Sequence, residues 1–186
     1  KEAVRLFEEW RGGGEAPEKD IRSAVYSLVS RVGDEKRFEE MRGMYREAIL
    51  PDEKERLGES LGLFRDKTLL REALKFAMTK DVRPQDFFDI YGAVGRNIVG
   101  REMIWPFLKK NWSKLLAVYG SGGHKIPRVV EPLGSLTDAK VAKEIETFFK
   151  NKNVGVERTV SQVCERIRSN SEWRAREEKN VLKWLS

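Results

Sequence analysis

Apolar residues recur every three or four positions along most of this chain, which is the spacing of one face of an α-helix. The first stripe, from Ala3 to Trp10, ends at three consecutive glycines, where continuing a helix is costly. The second begins after Pro17 and ends at Gly33-Asp34. Together the two stripes predict a first pair of packed helices. We expect the second helix to bury one side, formed by Ile21, Ala24, Val25, Leu28, Val29 and Val32.

Turn and capping residues divide the rest of the chain into further helices. Asp66, and either Thr137 or Asp138, can accept the free N–H groups of the helices that follow them. Pro84 and Pro127 suit the first turn of a helix, because proline lacks the N–H that is unpaired there. On the predicted helix 85–97, two glycines three residues apart mark a point where a neighbouring helix can approach closely: Gly92 and Gly95.

The longest apolar pattern runs from Met103 to Tyr119 and predicts a core helix. Pro106 is tolerable within it if it lies close to the start of the helix. Trp105 and Trp112 are seven residues apart and so share a helix face, while Trp173 and Trp184 are three turns apart. We interpret both pairs as core residues. The last two helices are predicted from about Val156 to Arg168 and from Ser171 to Leu185.

These patterns predict ten or eleven helices, joined by short loops, with no sheet and no strict sequence repeat. Such a series favours an all-α fold, a right-handed α-α superhelix of stacked antiparallel helical hairpins of the HEAT type. We expect residues 1–186 to form a single helical domain.

Charge and hydropathy exclude several classes of protein. Lys and Arg number 36 against 30 Asp and Glu, and both signs are mixed along the chain, which is typical of a solvated surface. A nucleic-acid interface is therefore disfavoured. No apolar stretch is long enough to cross a bilayer and no apolar signal region is present at the start, so we expect a soluble, cytoplasmic protein.

Catalytic residue types are scarce. The chain has one histidine, His124, in a glycine-rich loop, and one cysteine, Cys164, within a helical pattern that predicts burial. A zinc site needs about three such ligands, and H-E-x-x-H is absent. We therefore expect no metal, no cofactor and no catalytic residue in this chain, and we interpret His124 as an exposed loop residue rather than part of a nucleophile pair.

Several segments resemble, in order and nearly in spacing, the C-terminal domain of zinc aminopeptidases of the puromycin-sensitive and aminopeptidase N type. They are Asp81-Val82-Arg83-Pro84-Gln85-Asp86, Gly95-Arg96-Asn97, Trp105-Pro106-Phe107-Leu108-Lys109-Lys110-Asn111-Trp112, Glu157-Arg158-Thr159-Val160, and Asn170 with Trp173. The resemblance implies a HEAT-like helical bowl that closes over a separate thermolysin-like catalytic domain. In that family the zinc motif and the exopeptidase motif G-x-M-E-N lie upstream, so zinc belongs to the parent enzyme.

The resemblance also implies a role in substrate binding. The expected partners are a peptide and the upstream catalytic domain of the same polypeptide. Because the family offers basic groups to substrate on the inner face of this domain, we expect Arg128 first, then Lys125 and Arg96, to bind peptide. Two features of this sequence depart from better-known members of the family. One is the glycine-rich loop that precedes Arg128, and the other is Pro106.

Two other functions stay open at the level of sequence. Stacked hairpins alone are also typical of a free-standing adaptor that binds a protein on its concave face. Nucleic-acid binding is the third hypothesis, and it predicts an affinity that falls steeply with salt.

Overall fold

A computed structural model describes residues 1–120 and 125–185. These residues form ten α-helices, one short 3-10 helix and no strand, which confirms the all-α prediction. The α-helices are α1 (Glu2–Arg11), α2 (Lys19–Val32), α3 (Glu35–Glu47), α4 (Pro51–Leu61), α5 (Lys67–Phe76), α6 (Phe87–Arg96), α7 (Arg101–Tyr119), α8 (Ile126–Val130), α9 (Ala139–Phe149) and α10 (Glu157–Leu185); the 3-10 helix is Glu131–Ser135.

The chain divides into two compact units, Lys1–Met103 and the residues from Ile104 onward. In the first unit α4 is central, because it packs against α2, α3 and α6, while α1 packs on α2 and α5 on α6. In the second unit α10 packs against α8, the 3-10 helix and α9. The predicted first pair of helices is therefore present. The handedness of the superhelix and the single-domain organisation stay predictions.

Capping residues begin several helices as the sequence predicts. Asp66 accepts hydrogen bonds from the backbone N–H groups of Thr68 and Leu69, at 2.6 and 3.1 Å. Asp138, and not Thr137, caps α9. Pro127 lies in the first turn of α8. Pro84 differs, because it lies in a turn and α6 begins only at Phe87.

The apolar face of α2 is only half buried. Val25 and Val29 are buried as predicted, but Ile21, Leu28 and Val32 are 43%, 52% and 74% exposed. The neighbours α1 and α4 cover a strip of α2 narrower than its apolar surface. The rest of the apolar face of α2 is therefore exposed to solvent.

A close helix contact in the first unit lies at Gly58 of α4 and at Gly62, the residue that follows α4, whereas a Cβ on Gly92 of α6 would meet only the side chain of Arg96, at 3.2 Å. A Cβ on Gly62 would lie 2.5 Å from Cβ of Ala93 and 2.8 Å from the backbone nitrogen of Val94. On Gly58 it would touch Ile90 at 3.4 Å. The absence of side chains at these two positions, one turn apart, lets α4 approach the backbone of α6.

Pro106 lies further from the start of its helix than the first turn, where a proline is tolerated most easily. Since α7 begins at Arg101, Pro106 is beyond the first four N–H groups, and it cannot donate to the carbonyl of Glu102. The helix nevertheless continues, and Trp105 and Trp112 are buried on it as predicted.

The two predicted C-terminal helices are one helix, α10, of 29 residues. Ser169 to Ser171 are weak helix formers, but none is a glycine or proline that would break the helix. The last buried residue of α10 is Ile167. Trp173 and Trp184 are 58% and 83% exposed, so the prediction of core packing was wrong for this pair.

Candidate functional site

Two of the three basic residues expected to bind peptide lie within one turn of each other. Lys125 precedes α8, and its carbonyl accepts a hydrogen bond of 3.1 Å from the backbone N–H of Arg128. Both side chains are exposed. They place two positive charges at one corner of the second unit, a pattern suited to a carboxylate.

The third residue, Arg96, belongs to the first unit, where it ends α6. Its Nη2 donates to Oε1 of Glu59 at 2.7 Å, and the two side chains are 63% and 47% exposed. The Glu59 carboxylate already balances the charge of Arg96. Its role in binding, like those of Lys125 and Arg128, stays a prediction.

Apolar contacts and a remote asparagine position Arg128. Ile126, Val129 and Val130 of α8 are buried, which turns the intervening Arg128 outward. The 3-10 helix that follows is held by Asn170 of α10, whose Nδ2 donates to the carbonyls of Gly134 at 3.0 Å and Leu136 at 3.2 Å. This anchor was not expected from sequence.

The residue types suited to catalysis are not assembled in the described part of the chain. Within residues 1–120 and 125–185, no three His, Cys, Asp or Glu side chains are placed to hold a metal ion, so these residues do not fit zinc. His124 lies outside the described residues. Cys164 is fully buried, and burial raises its pKa to about 11, so that the thiol is protonated at neutral pH.

A second basic surface, missed by the sequence argument, lies between α7 and α9. Trp105 and Phe148 line a groove of 610 Å³ whose rim carries Lys109, Lys140 and Lys143. Nε1 of Trp105 donates to Glu144 Oε2 at 3.0 Å, and Nζ of Lys109 lies 3.2 Å from the same oxygen. These two donors, Trp105 before Lys109, hold the pKa of Glu144 below its usual value. The sequence did contain one sign of this surface, because Lys140 and Lys143 are three residues apart and so lie on one face of α9.

Two motif residues quoted for the resemblance have structural roles. Arg83 binds the carboxylate of Asp86 with both Nε and Nη2, at 2.7 and 2.8 Å. The hydroxyl of Tyr45 donates to the same carboxylate at 2.5 Å, and Asp86 is only 2% exposed. Burial, before the hydrogen bond to Asp86, raises the pKa of Tyr45. This network fastens α3 to the start of α6.

Asn97, the last residue of another such motif, fastens α6 to the loop after α4. Its Nδ2 donates to the carbonyls of Gly62 and Phe64, at 3.0 and 2.7 Å. Its Oδ1 accepts from the backbone N–H of Val99 at 3.0 Å. The family-like segments of the first unit thus fix its helices rather than supply reactive groups.

Comparison with known proteins gives the chain a family. Residues 1–169 match the family model described as "ERAP1-like C-terminal domain". The chain is 34% identical over 182 residues to Aminopeptidase M1 of Arabidopsis thaliana, an alignment covering 93% of this chain and 20% of that protein. It is 30% identical to "Aminopeptidase 2, mitochondrial" of Saccharomyces cerevisiae, covering 100% of the chain and 20% of that protein.

Aminopeptidase N of Rattus norvegicus is a further relative, at 24% identity over 98% of the chain and 20% of its own length. The chain therefore spans about a fifth of the length of these relatives. None of the described helices combines the length and the apolar character needed to cross a lipid bilayer.

Proposed function

Because the chain belongs to the family of ERAP1-like C-terminal domains, we propose that it is the non-catalytic C-terminal domain of a zinc-dependent aminopeptidase. In this proposal the domain caps the chamber of the active site and helps to orient peptides whose N-terminal residues the parent enzyme removes. The upstream catalytic domain of the same polypeptide holds the zinc. The match over residues 1–169, together with relatives that are all named aminopeptidases, is the observation that carries the proposal.

The charges near α8 support a role in binding the far end of a peptide. The C-terminal carboxylate of a peptide is an anion, and an arginine guanidinium can bind it with two parallel hydrogen bonds. Arg128 and Lys125 are exposed and within one turn of each other. Binding energy gained at this distant end would hold the N-terminus of the peptide against the catalytic groups, so it would raise the rate as well as the affinity.

Kinetics of the parent enzyme test this role. Arg128→Ala should lower kcat/KM for a peptide of about ten residues with a free carboxylate by roughly tenfold, the equivalent of about 1.4 kcal/mol. It should leave an aminoacyl amide and the C-terminally amidated peptide unaffected, because neither presents the carboxylate. Arg65→Ala, which removes an exposed arginine of the first unit, is the matched control. An equal loss for the free and amidated peptides would contradict the role of Arg128.

The isolated chain offers a second test. With aminoacyl-amide substrates it should show no hydrolysis, and chelator-resistant cleavage by the purified chain would overturn the proposal. The coding sequence upstream of Lys1 separates the proposal from the adaptor hypothesis, because H-E-x-x-H several hundred codons earlier is expected only for a peptidase.

A further inference from the structure

The groove between α7 and α9 is a surface to which the proposed function gives no role. Trp105 and Phe148 form its floor, and its rim carries Lys109, Lys140 and Lys143. We call these five residues the lysine groove. All of them belong to α7 and α9, so the lysine groove shares no element with the charges near α8.

The protein neutralises only part of the charge of the lysine groove. Nζ of Lys109 lies 3.2 Å from Oε2 of Glu144, so this pair is balanced. In the part of the chain that the structure describes, Lys140 and Lys143 are exposed and form no ion pair. Residues three apart on a helix have Cβ atoms about 5–6 Å from each other. Two uncompensated cations therefore lie side by side on α9.

The positive charge continues along α9. An adjoining groove of 450 Å³, between α9 and the start of α10, shares Lys143 with the lysine groove and adds Lys150 and Lys152. From Lys140 to Lys150 the helix rises about 15 Å. With their ion pairs, the two grooves contain six cations against three glutamates, which leaves half of the chain's net charge of +6 here: Lys109, Lys140, Lys143, Lys150, Lys152 and Arg168, with Glu144, Glu146 and Glu157.

Aromatic rings hold two of these cations in place. Nζ of Lys109 lies 4.9 Å from the centre of the Trp105 ring, and Nζ of Lys152 lies 4.4 Å from that of Phe148. The two rings pack edge to face, 5.4 Å apart. Attraction between a cation and a ring face restrains the long lysine side chain. An anion that binds these ammonium groups therefore orders less free side chain than it would on an ordinary surface.

The stability of α9 does not explain the lysine at its beginning. Lys140 lies in the first turn, which carries no acidic residue, although the positive end of the helix dipole favours acids there. Glu144 and Glu146 lie in the second half of the helix, nearer its negative end. An anionic ligand gains from this arrangement, because it is attracted by Lys140 and by the positive end of the helix together.

The recessed floor distinguishes between anionic partners. Trp105 is only 4% exposed and Phe148 is half-buried, so neither presents the open ring face on which a nucleic-acid base stacks. A membrane surface takes up apolar side chains that protrude, and these do not. An acidic peptide satisfies both parts of the groove, since its carboxylates pair with the lysines and one apolar side chain covers the floor.

We propose that the lysine groove binds an acidic segment of a partner protein, in which Glu or Asp residues flank an apolar residue. About five residues of extended peptide span the 15 Å between Lys140 and Lys150, at roughly 3.3 Å per residue. The segment therefore needs no more than a short linear motif. This binding does not depend on the parent enzyme or on Arg128, so it can be measured on the present chain.

A peptide of the required composition tests the proposal. Amidated Gly-Glu-Glu-Leu-Glu-Glu-Gly with a rhodamine label should bind with a Kd below about 1 mM in ~0.15 M salt, as measured by fluorescence anisotropy. Lys140→Glu combined with Lys143→Glu should raise the Kd by about tenfold or more. The neutral pair Lys140→Ala with Lys143→Ala, which alanine's helix propensity favours, should raise it by about threefold or more.

Lys19→Glu combined with Lys67→Glu is the matched control. It makes the same change of charge at two exposed lysines, at the first positions of α2 and α5, where acids suit the helix. The Kd of this variant should stay within about twofold of that of the unaltered chain. Circular dichroism establishes that each variant is folded.

Each result supports or overturns the proposal. Loss of affinity in the α9 variants alone supports it. An equal loss in the control would show that binding follows net charge, and no saturable binding would show that the groove takes no such peptide. Undiminished binding of a peptide with Ser in place of Leu would exclude the aromatic floor. An oligouridylate of the same charge that bound more tightly than the peptide would assign the surface to nucleic acid. Each of these last four results overturns the proposal.

Discussion

Two loops, residues 62–66 in the first unit and 134–138 in the second, are built alike although their sequences share only the initial glycine and the final aspartate. In each, the third residue is a buried apolar side chain and the aspartate caps the next helix. A distant asparagine donates to the carbonyls of the first and third residues, Asn97 in one unit and Asn170 in the other. The shared contacts form an internal structural repeat that the absence of a strict sequence repeat conceals.

The two loops differ in what surrounds them. A Cβ on Gly62 would meet Ala93 and the backbone of α6, whereas one on Gly134 would meet the side chain of Arg166 at 3.1 Å. The helix that supplies Asn97 ends there, while α10 continues for 15 residues beyond Asn170 to Leu185. The hydrogen bonds thus fix the conformation of each loop. The packing beside the glycine decides whether a side chain can be accommodated at that position.

Replacing each of the two glycines by alanine should give the largest difference in stability between the two loops, because it tests the packing and leaves the hydrogen bonds in place. Gly62→Ala forces a Cβ into the backbone of α6 and should destabilise the protein by about 3 kcal/mol. Gly134→Ala displaces only a flexible arginine and should cost under about 1 kcal/mol. Urea unfolding followed by circular dichroism measures both.

Gly43→Ala is the control for these glycines, because nothing lies within 4 Å of a Cβ built there in the middle of α3. It should stabilise the protein by roughly 0.5 kcal/mol or more through helix propensity. If Gly62→Ala and Gly134→Ala destabilised equally, packing beside the glycine would not distinguish the two loops.

Removing the asparagines should have intermediate effects. Asn97→Ala loses two donated bonds and the one accepted from Val99, and it leaves part-buried carbonyls without donors, at a cost of about 2 kcal/mol. Asn170→Ala loses two donated bonds, of which the one to Leu136 is longer than its counterpart in the first unit, 3.2 Å against 2.7 Å, and it should cost about 1 kcal/mol. Asn151→Ala, at an exposed turn, should change nothing in the same unfolding experiment. A larger loss of stability for Asn170→Ala than for Asn97→Ala would contradict this prediction.

Alkaline pH should lower the stability of the second unit before that of the first. The expected loss is smaller than those caused by the substitutions above. An unfolded cysteine ionises near pH 8.5, about 2.5 units below the folded pKa of about 11 for Cys164. Because the folded pKa is raised, the stability is fully present below about pH 8.5 and is lost as pH rises toward about 11. At pH 9 the loss should be less than about 1 kcal/mol.

The first unit has no cysteine and should respond only when unfolded tyrosines ionise, near about pH 10. Burial raises the pKa values of Tyr26, Tyr45 and Tyr91, so the stability of this unit is present below that pH and is lost above it. Hydrogen exchange of segments 62–97 and 134–170 at pH 8 and pH 9 distinguishes the units. Cys164→Ala should abolish the early loss, and an equal early loss in both units would argue against Cys164 as its source.

Helix boundaries were the part of the fold that sequence predicted best, because their causes are local. Gly12 follows α1 directly, Asp66 caps α5 with its own carboxylate, and Pro127 lies in the first turn of α8. Each depends on the residue and its immediate neighbours. The break predicted between Arg168 and Ser171 is absent from α10, and its prediction failed for the opposite reason. Asparagine in a helix can compete for its own backbone, but the side chain of Asn170 donates instead to the distant carbonyls of Gly134 and Leu136.

The burial of apolar faces and the candidate site could be predicted only in part. The sequence shows that α2 is apolar over a wide surface, but which strip is covered depends on where α1 and α4 pack. Similarly, sequence supplies the charges of Lys125 and Arg128, and their spacing on a helix implies proximity. The partner of Arg96, Glu59, comes from another helix and has no signal in the sequence.

The length of α10 affects what tryptophan fluorescence measures when this protein unfolds. From Glu172 to Leu185 the helix lacks buried residues, and at about 1.5 Å per residue this stretch extends roughly 20 Å. A helical segment this short is marginal in water without packing, so it opens locally at a lower free energy than either unit. Two of the five tryptophans, Trp173 and Trp184, lie on it. Early changes in fluorescence on heating will therefore register the melting of this free end and not the loss of the packed helices.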